Sequence, residues 1–237
     1  MTETVSAIRR VLSQGSSFPS VVATTSGHLR VMKLAGAGPG RRALAIEYIA
    51  LKLARRLGLR VPEATLLDLP AGLPWQVGTD EFYEAVERSA GFNLGVAFIA
   101  DARDLKAADL PSLPADFLAR LGAVDALLQN VDRTVANPNV IRDAAGVDWA
   151  IDFGACLLID RLARGALEPR PQLPPNHFLA GTDDVPISAH AVAAALDEAH
   201  VAEIVGGLPE AWLDELGLSG ATLSHRLRRY AEGLRAL

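Results

Sequence analysis

The chain has 237 residues, 50% of them hydrophobic and 22% charged, a composition typical of a soluble globular protein with one large domain or two smaller lobes. Its net charge of −5 argues against broad binding to nucleic acid or to a membrane, and its single cysteine, Cys156, excludes an internal disulfide framework. The start lacks the apolar core of a signal peptide and no run approaches the roughly 20 apolar residues that span a bilayer, so a cytoplasmic protein is predicted.

The first hundred residues are predicted to be rich in strands. Residues 20–34 contain two alternating, β-branched runs around the turn signal Thr25-Ser26-Gly27, which predicts a hairpin. Residues 41–57 show the clearest helical periodicity, and Gly58 occupies the position expected for the helix stop. Further downstream, strands are predicted over residues 61–69 and 94–100 and a short helix over 80–88.

The second half of the chain is predicted to be mainly helical. In order, the sequence predicts a helix over 114–129, a polar loop over 130–139, a hairpin over 140–151, a proline-rich stretch over 169–175 and an Ala- and Leu-rich helical tail from about residue 188. Strands followed by helices indicate an α+β fold, here with two lobes that join near residues 100–112.

The helix over 41–57 carries an acidic residue on its apolar face. On a helical wheel Glu47 falls among the apolar side chains, whereas the basic residues of the helix fall in the opposite half. A buried carboxylate is costly unless it is paired, and Lys33, at the end of an apolar strand, is the nearest candidate partner. The alternative is that Glu47 reaches solvent at the rim of the helix and that Lys33 is a solvated strand end.

Two further polar groups interrupt apolar sequence. The loop over 130–139 contains Asp132 and Asn137, five residues apart, and Asp152 ends an otherwise buried strand. Asp and Asn supply oxygen ligands for a hard cation, and Asp can also accept a proton. Because Mg²⁺ favours few protein oxygens together with phosphate and water, Asn137 and Asp152 could hold it against a polyphosphate. The alternative is that these residues only cap and turn the chain.

Taken in chain order, these features resemble the HipA-like kinase family, most closely its short stand-alone bacterial members. The resemblance covers roughly residues 14–160 and rests on the segments Gly15-Ser16-Ser17-Phe18-Pro19, Val31-Met32-Lys33, Ala45-Ile46-Glu47-Tyr48, Asn130-Val131-Asp132-Arg133, Asn137-Pro138-Asn139 and Ala150-Ile151-Asp152-Phe153-Gly154-Ala155. It implies a bilobal, protein-kinase-like α+β fold, with a β-rich N-lobe over residues 1–101 and a mainly helical C-lobe over 102–237.

The resemblance also implies an ATP- and Mg²⁺-dependent transfer of the γ-phosphoryl group to a hydroxyl acceptor, first of all a protein Ser or Thr. In such a site Lys33, held by Glu47, orients the phosphates, and Asp132 orients or deprotonates the acceptor hydroxyl. Asn137 and Asp152 hold Mg²⁺. The other contacts with ATP are expected from the phosphate loop and from the segment beside the adenine, namely Ser16, Ser17, Phe98, Ile99, Ala100 and Asp101.

Other functions stay open at this point. The chain has no GxGxxG loop, which leaves a pseudokinase or a nucleotide-binding module without phosphoryl transfer as one alternative. Transfer of AMP is another, because a kinase-like fold can bind the nucleotide reversed, and the acceptor could also be a peptide or a small molecule. A hydrolase is not indicated, since the five histidines show neither metal-ligand spacing nor a GxSxG context.

Overall fold

Five strands from the first part of the chain form a closed barrel. The computed structural model describes residues 2–12, 17–166, 171–181 and 195–235. The strands are β1 (Thr2–Val11), β2 (Ser20–Thr24), β3 (Leu29–Lys33), β4 (Ala64–Leu69) and β5 (Gly91–Ala97). Around the barrel they follow the order β1-β2-β3-β5-β4; β1 and β4 pair in parallel, and the other neighbours pair antiparallel.

One face of these strands builds a first hydrophobic core. Val22, Met32 and Leu67 are fully buried there, and helix α2 (Asp80–Glu87) packs its apolar face against them. A Cβ at Gly95 would lie 2.6 Å from Leu67 Cγ, so β4 and β5 can pack at this point only because residue 95 is glycine.

The later part of the chain forms a small sheet and several helices. The short strands β6 (Arg103–Asp104), β7 (Val140–Arg142) and β8 (Asp148–Ala150) pair antiparallel in chain order. A 3₁₀ helix covers Ala107–Ser112, and the α-helices here are α3 (Ala115–Leu128), α4 (Leu157–Ala163), α5 (Glu198–Gly206), α6 (Glu210–Leu216) and α7 (Gly220–Arg235). Within the residues described, no helix combines the length and apolarity needed to cross a membrane.

Helix α1 (Gly40–Arg56) joins the barrel to the later helices. It contacts β4, β5 and α6, and its buried residues belong to a larger core that extends as far as α7. Arg42 donates to Asp160 Oδ1 at 2.6 Å and to the carbonyl of Glu215 at 2.8 Å. Both parts of the chain therefore set the position of α1, and the larger core includes residues on each side of the boundary expected at residues 101 and 102.

Several predicted elements have shifted ends. β4 begins at Ala64 instead of residue 61. The residues that it leaves out include Pro62, which has no N–H to donate to a neighbouring strand. β5 covers Gly91–Ala97 instead of 94–100, because β3 begins at Leu29 and offers residues 99 and 100 no partner. The predicted tail from residue 188 falls partly outside the described residues, and from 198 onward it is three helices, broken at the Pro209 and Gly217 positions.

The sequence of β1 shows no regular strand pattern, because bulges interrupt the pairing of β1 with β2. The register shifts between Val5 and Ala7 and again between Ile8 and Arg10. Val5 and Ile8, three residues apart, consequently both face the first core. This spacing breaks the period of two by which a strand is recognised in a sequence.

Candidate active site

Three charged side chains meet between β3, α1 and the segment that follows β8. The Lys33 ammonium lies 2.7 Å from both carboxylate oxygens of Glu47 and 2.9 Å from Asp152 Oδ1. Glu47 is only 3% exposed, whereas 44% of the Asp152 side chain is exposed. The ion pair expected between Lys33 and Glu47 is present, and Asp152 shares its cation.

Burial and charge act in opposite directions on this cluster. Burial favours the neutral form of Lys33, but the carboxylates of Glu47 and Asp152 outweigh it and raise the pKa of Lys33 above its ordinary value. Burial raises the pKa of the Glu47 carboxyl, and the Lys33 ammonium opposes this effect. Partial burial by itself would raise the pKa of Asp152, but the Lys33 ammonium outweighs this effect and holds that pKa below its ordinary value. The charge on Glu47 therefore depends on Lys33.

Replacing Lys33 with methionine should destabilise the protein at neutral pH. Glu47 would be left buried without its cation, which should lower the free energy of unfolding by about 2–3 kcal/mol. Burial already raises the pKa of Glu47 in the folded protein, and the variant loses the Lys33 ammonium that opposes this rise, so its folded state takes up a proton at a higher pH than the unfolded chain does. Part of the lost stability should therefore return as the pH falls from neutral toward the unfolded-state pKa of glutamate, about 4.3. Urea unfolding at neutral and at mildly acidic pH is the measurement.

The double variant Lys33→Met/Glu47→Gln is the matched control, because it removes both charges. It should be more stable than Lys33→Met at neutral pH and should gain less stability on acidification. If Lys33→Met were as stable as the wild type at neutral pH, the fold would not depend on this ion pair.

The loop between α3 and β7 presents a third carboxylate, Asp132. Asn137 Nδ2 donates to Asp132 Oδ2 at 2.9 Å, and Asn139 Nδ2 donates to the same oxygen at 3.1 Å. The Asp132 backbone N–H donates to Asn130 Oδ1 at 3.2 Å, which holds the main chain in place. Both hydrogen bonds from the asparagine side chains end on Asp132 Oδ2, so Asp132 Oδ1 has no donor among the described residues. That oxygen can accept a proton from a substrate hydroxyl.

The fully buried Arg133 connects this loop to the segment that follows β8. Its guanidinium donates to the carbonyl oxygens of Asn139, at 2.7 Å, and Ile151, at 3.3 Å. Since Asp132 precedes Arg133 and Asp152 follows Ile151, one side chain fixes the distance between the two carboxylate-bearing segments. Through these contacts Arg133 braces the loop that carries Asp132.

Sequence reasoning missed Asp125, on α3, which balances the charge of Arg133. The Asp125 carboxylate accepts from Arg133 Nε and lies 2.9 Å from His177 Nε2, and all three side chains are fully buried. His177 Nδ1 accepts the backbone N–H of Leu179, so its Nε2–H donates to Asp125. The helical-wheel argument used for Glu47 would also have found Asp125. No local pattern marks His177, which lies 52 residues away.

Asp152 has a left-handed backbone conformation, with φ of 59°. The Ile151 N–H just before it still donates to the Asn139 carbonyl at 2.9 Å, so the chain turns immediately after that bond. A Cβ at Gly154 would lie 3.4 Å from Glu47 Oε2 and 3.9 Å from Asp152 Oδ1. Unfavourable backbone angles in non-glycine residues concentrate at functional sites, where the surrounding structure enforces them.

A cavity of about 800 Å³ is lined both by the charged cluster around Lys33 and by the loop that carries Asp132. Of the residues predicted to act in the site, its wall contains Ser17, Lys33, Glu47, Phe98, Ile99, Asp132, Asn137 and Asp152. Ala100 and Asp101 do not line it, because the chain turns at Asp101, whose φ is 53°, and re-enters the wall at Ala102. Ser16 lies outside the described residues. A volume of this size suits a small-molecule ligand.

The donor set beside this cavity fits a hard divalent cation. Because Asn137 Nδ2 donates to Asp132, the carbonyl oxygen of the same amide is left as a possible ligand. Asp152 offers the carboxylate oxygen that Lys33 does not use. The described residues contain no group of three or more His, Cys, Asp or Glu side chains placed to hold a metal ion. Mg²⁺ takes few oxygens from a protein when phosphates and water supply further ligands, and one carboxylate oxygen with one amide oxygen meets that requirement.

A protein-family model described as HipA-like kinase matches residues 5–156, which is more than half of the chain and includes the charged cluster and the Asp132 loop. No significant match was found among curated protein sequences.

Among solved structures, the crystal structure of CtkA, a Helicobacter pylori proinflammatory kinase, matches 100% of this chain and 97% of that chain, with a TM-score of 0.58 and 14% sequence identity. A crystal structure of the Golgi casein kinase matches 98% of this chain and 71% of that chain, with a TM-score of 0.46 and 12% identity. The likeness to the first structure shows a shared α+β fold.

Proposed function

This chain belongs to the HipA-like kinase family, and on that premise we propose that it transfers the γ-phosphoryl group of ATP, together with Mg²⁺, to a hydroxyl acceptor. The observation that carries the proposal is the convergence of Lys33, Glu47, Asp132 and Asp152 on one cavity. Positioning and charge neutralisation are the main requirements of phosphoryl transfer. The free oxygen of Asp132 can position the acceptor hydroxyl, and the Lys33 ammonium can neutralise phosphate charge.

ATP would lie along the cavity from an apolar end to a polar end. Val31, Val96 and Phe98 line the apolar part, which suits the adenine, while Lys33 marks the place for the phosphates. Residues 1–101 would then act as an N-lobe and residues 102–237 as a C-lobe, with the nucleotide between them. Phe98 and Ile99 supply the adenine contacts in this arrangement.

The charge of the cavity wall favours a nucleotide that arrives with a divalent cation. The described part of the wall has four carboxylates and three cationic side chains, namely Glu47, Asp104, Asp132, Asp152, Arg10, Lys33 and Lys106. A polyphosphate alone would therefore enter a wall with a slight excess of negative charge. Asn137 and Asp152 would hold Mg²⁺, which when bound neutralises part of the phosphate charge.

A Ser or Thr hydroxyl on a protein is the acceptor that the exposure of the loop favours. Asn137 is exposed and Asp132 is half-buried, so the free oxygen of Asp132 can be approached from solvent. Val135, between them, is 53% exposed and offers an apolar contact to an incoming chain. Asp132 would accept the hydroxyl proton, or orient the hydroxyl, as the hydroxyl oxygen bonds to the γ-phosphorus and the bond from that phosphorus to the β–γ bridging oxygen breaks, with ADP as the leaving group.

ATP should stabilise the wild type more in the presence of Mg²⁺ than in EDTA. A ligand at 100 times its Kd stabilises the folded state by about 2.7 kcal/mol, which for a chain of this size corresponds to a rise in Tm of roughly 5–10 °C. Asp152→Asn should lose most of the Mg²⁺-dependent part, because the amide keeps the shape but not the charge. Differential scanning fluorimetry is the measurement.

Asp116→Asn is the control for this experiment, since Asp116 is exposed on α3 and does not line the cavity. Its Mg²⁺-dependent shift should equal that of the wild type. A full shift in Asp152→Asn would refute the metal assignment, and no shift with ATP in any variant would refute the proposed function.

A further inference from the structure

β1 brings a cationic side chain to the wall of the same cavity. Arg10 lines the cavity, whereas the neighbouring Arg9 does not. Arg10 is exposed, and across the described ranges no carboxylate lies within ion-pair distance of it. Lys33, in contrast, is held by two carboxylates. The Arg10 guanidinium is therefore free to contact a ligand.

A β-bulge directs Arg10 toward the cavity. Ile8 lies opposite Val22 and Arg10 lies opposite Val21, so Arg9 is an extra residue in the pairing of β1 with β2. Ile8 and Val22 face the first core, while Arg10 reaches the cavity wall. Bulges are frequent next to active sites, where they change the direction of a side chain. Here the bulge places Arg10 in the wall without exposing Ile8.

Arg10 lies at the apolar end of the cavity. Its Cζ is 5.9 Å from the centroid of the Phe98 ring, within the range of a cation–π contact. Across the sheet, the register places Arg10 in one row with Val31 and Val96, which line the apolar part of the wall. Lys33 lies two residues beyond Val31 on β3. Arg10 is therefore on the side of the base and not of the phosphates.

We propose that Arg10 stacks its planar guanidinium on the base of the bound nucleotide and covers it from the β1 side. This inference rests on the proposed function, because it requires the base to lie beside Phe98. Arginine suits such a contact because its delocalised, weakly hydrated cation stacks on aromatic faces. A contact with the base adds to the affinity for ATP, ADP and adenosine alike.

Isothermal titration calorimetry with ATP·Mg²⁺, ADP·Mg²⁺ and adenosine tests this inference. Arg10→Ala should weaken the binding of all three ligands by about threefold to tenfold. Arg10→Lys keeps the positive charge but loses the planar guanidinium, and its binding of the three ligands should be weakened nearly as much. Arg10→Trp restores a planar face and should bind all three within about twofold of the wild type. Arg9→Ala is the matched control and should bind as the wild type does.

The possible outcomes separate this inference from the proposed function. A loss confined to ATP and ADP would make Arg10 a phosphate ligand and overturn base stacking, as would unchanged binding in Arg10→Ala. An equal loss in Arg9→Ala would overturn the placement that the bulge gives to Arg10. Absence of binding of all three ligands to the wild type would overturn the proposed function, and this inference with it.

Discussion

Asp132→Asn should reduce phosphoryl transfer by about 10²–10⁴-fold while leaving the affinity for ATP and Mg²⁺ nearly unchanged. The loss is what a positioned general base typically contributes. Asparagine can still accept the bonds from Asn137 and Asn139 through its carbonyl oxygen, so the loop should keep its shape. It cannot accept the proton of a hydroxyl. In this variant the rate of phosphoryl transfer should therefore fall while the affinity for ATP and Mg²⁺ stays nearly constant.

The assay should follow the labelled γ-phosphate of ATP into the protein itself, a cell lysate and water. Asp116→Asn, on the exposed side of α3, should transfer phosphate at the wild-type rate. If the wild type and Asp132→Asn both bind ATP and are equally inactive, a pseudokinase is favoured. If they are equally active, the Asp132 loop is not the catalytic loop. Intact-mass spectra distinguish added phosphate from added AMP.

Arg133→Met should lower the free energy of unfolding by about 3–5 kcal/mol, the range observed when one partner of a buried ion pair is removed. Arg133 and Asp125 are both 0% exposed, so neither water nor salt can replace the lost charge. The change also removes the Arg133 donor from the carbonyl oxygen of Ile151 and leaves the Asn139 carbonyl with only the Ile151 N–H. Urea unfolding at neutral pH measures the loss.

Arg103→Met is the matched control, because Arg103 forms an ion pair with Asp109 at the surface. Solvent screens this pair, and its removal should change stability far less than Arg133→Met does. Arg133→Met would contradict the prediction if it unfolded at the same urea concentration as Arg103→Met. A folded but inactive Arg133→Met would instead show that the bracing serves geometry more than stability.

Several features of the site are visible in short stretches of sequence. The five-residue separation of Asp132 and Asn137 and the place of Glu47 on the apolar face of its helix are local properties. A buried carboxylate requires a cation, and Lys33 was the nearest one available. The same reasoning applied to Asp125 would have predicted a second buried partner, but it could not have identified which one.

The sequence by itself determined the elements whose period is regular, above all α1, α3 and the hairpin of β2 and β3, because backbone periodicity governs which face is apolar. Only the tertiary structure decided the rest. The bulges in β1 hide its strand pattern and bring Arg10 to the cavity. His177 meets Asp125 across 52 residues. Such contacts depend on long-range packing and strand register, which no local pattern of residues encodes.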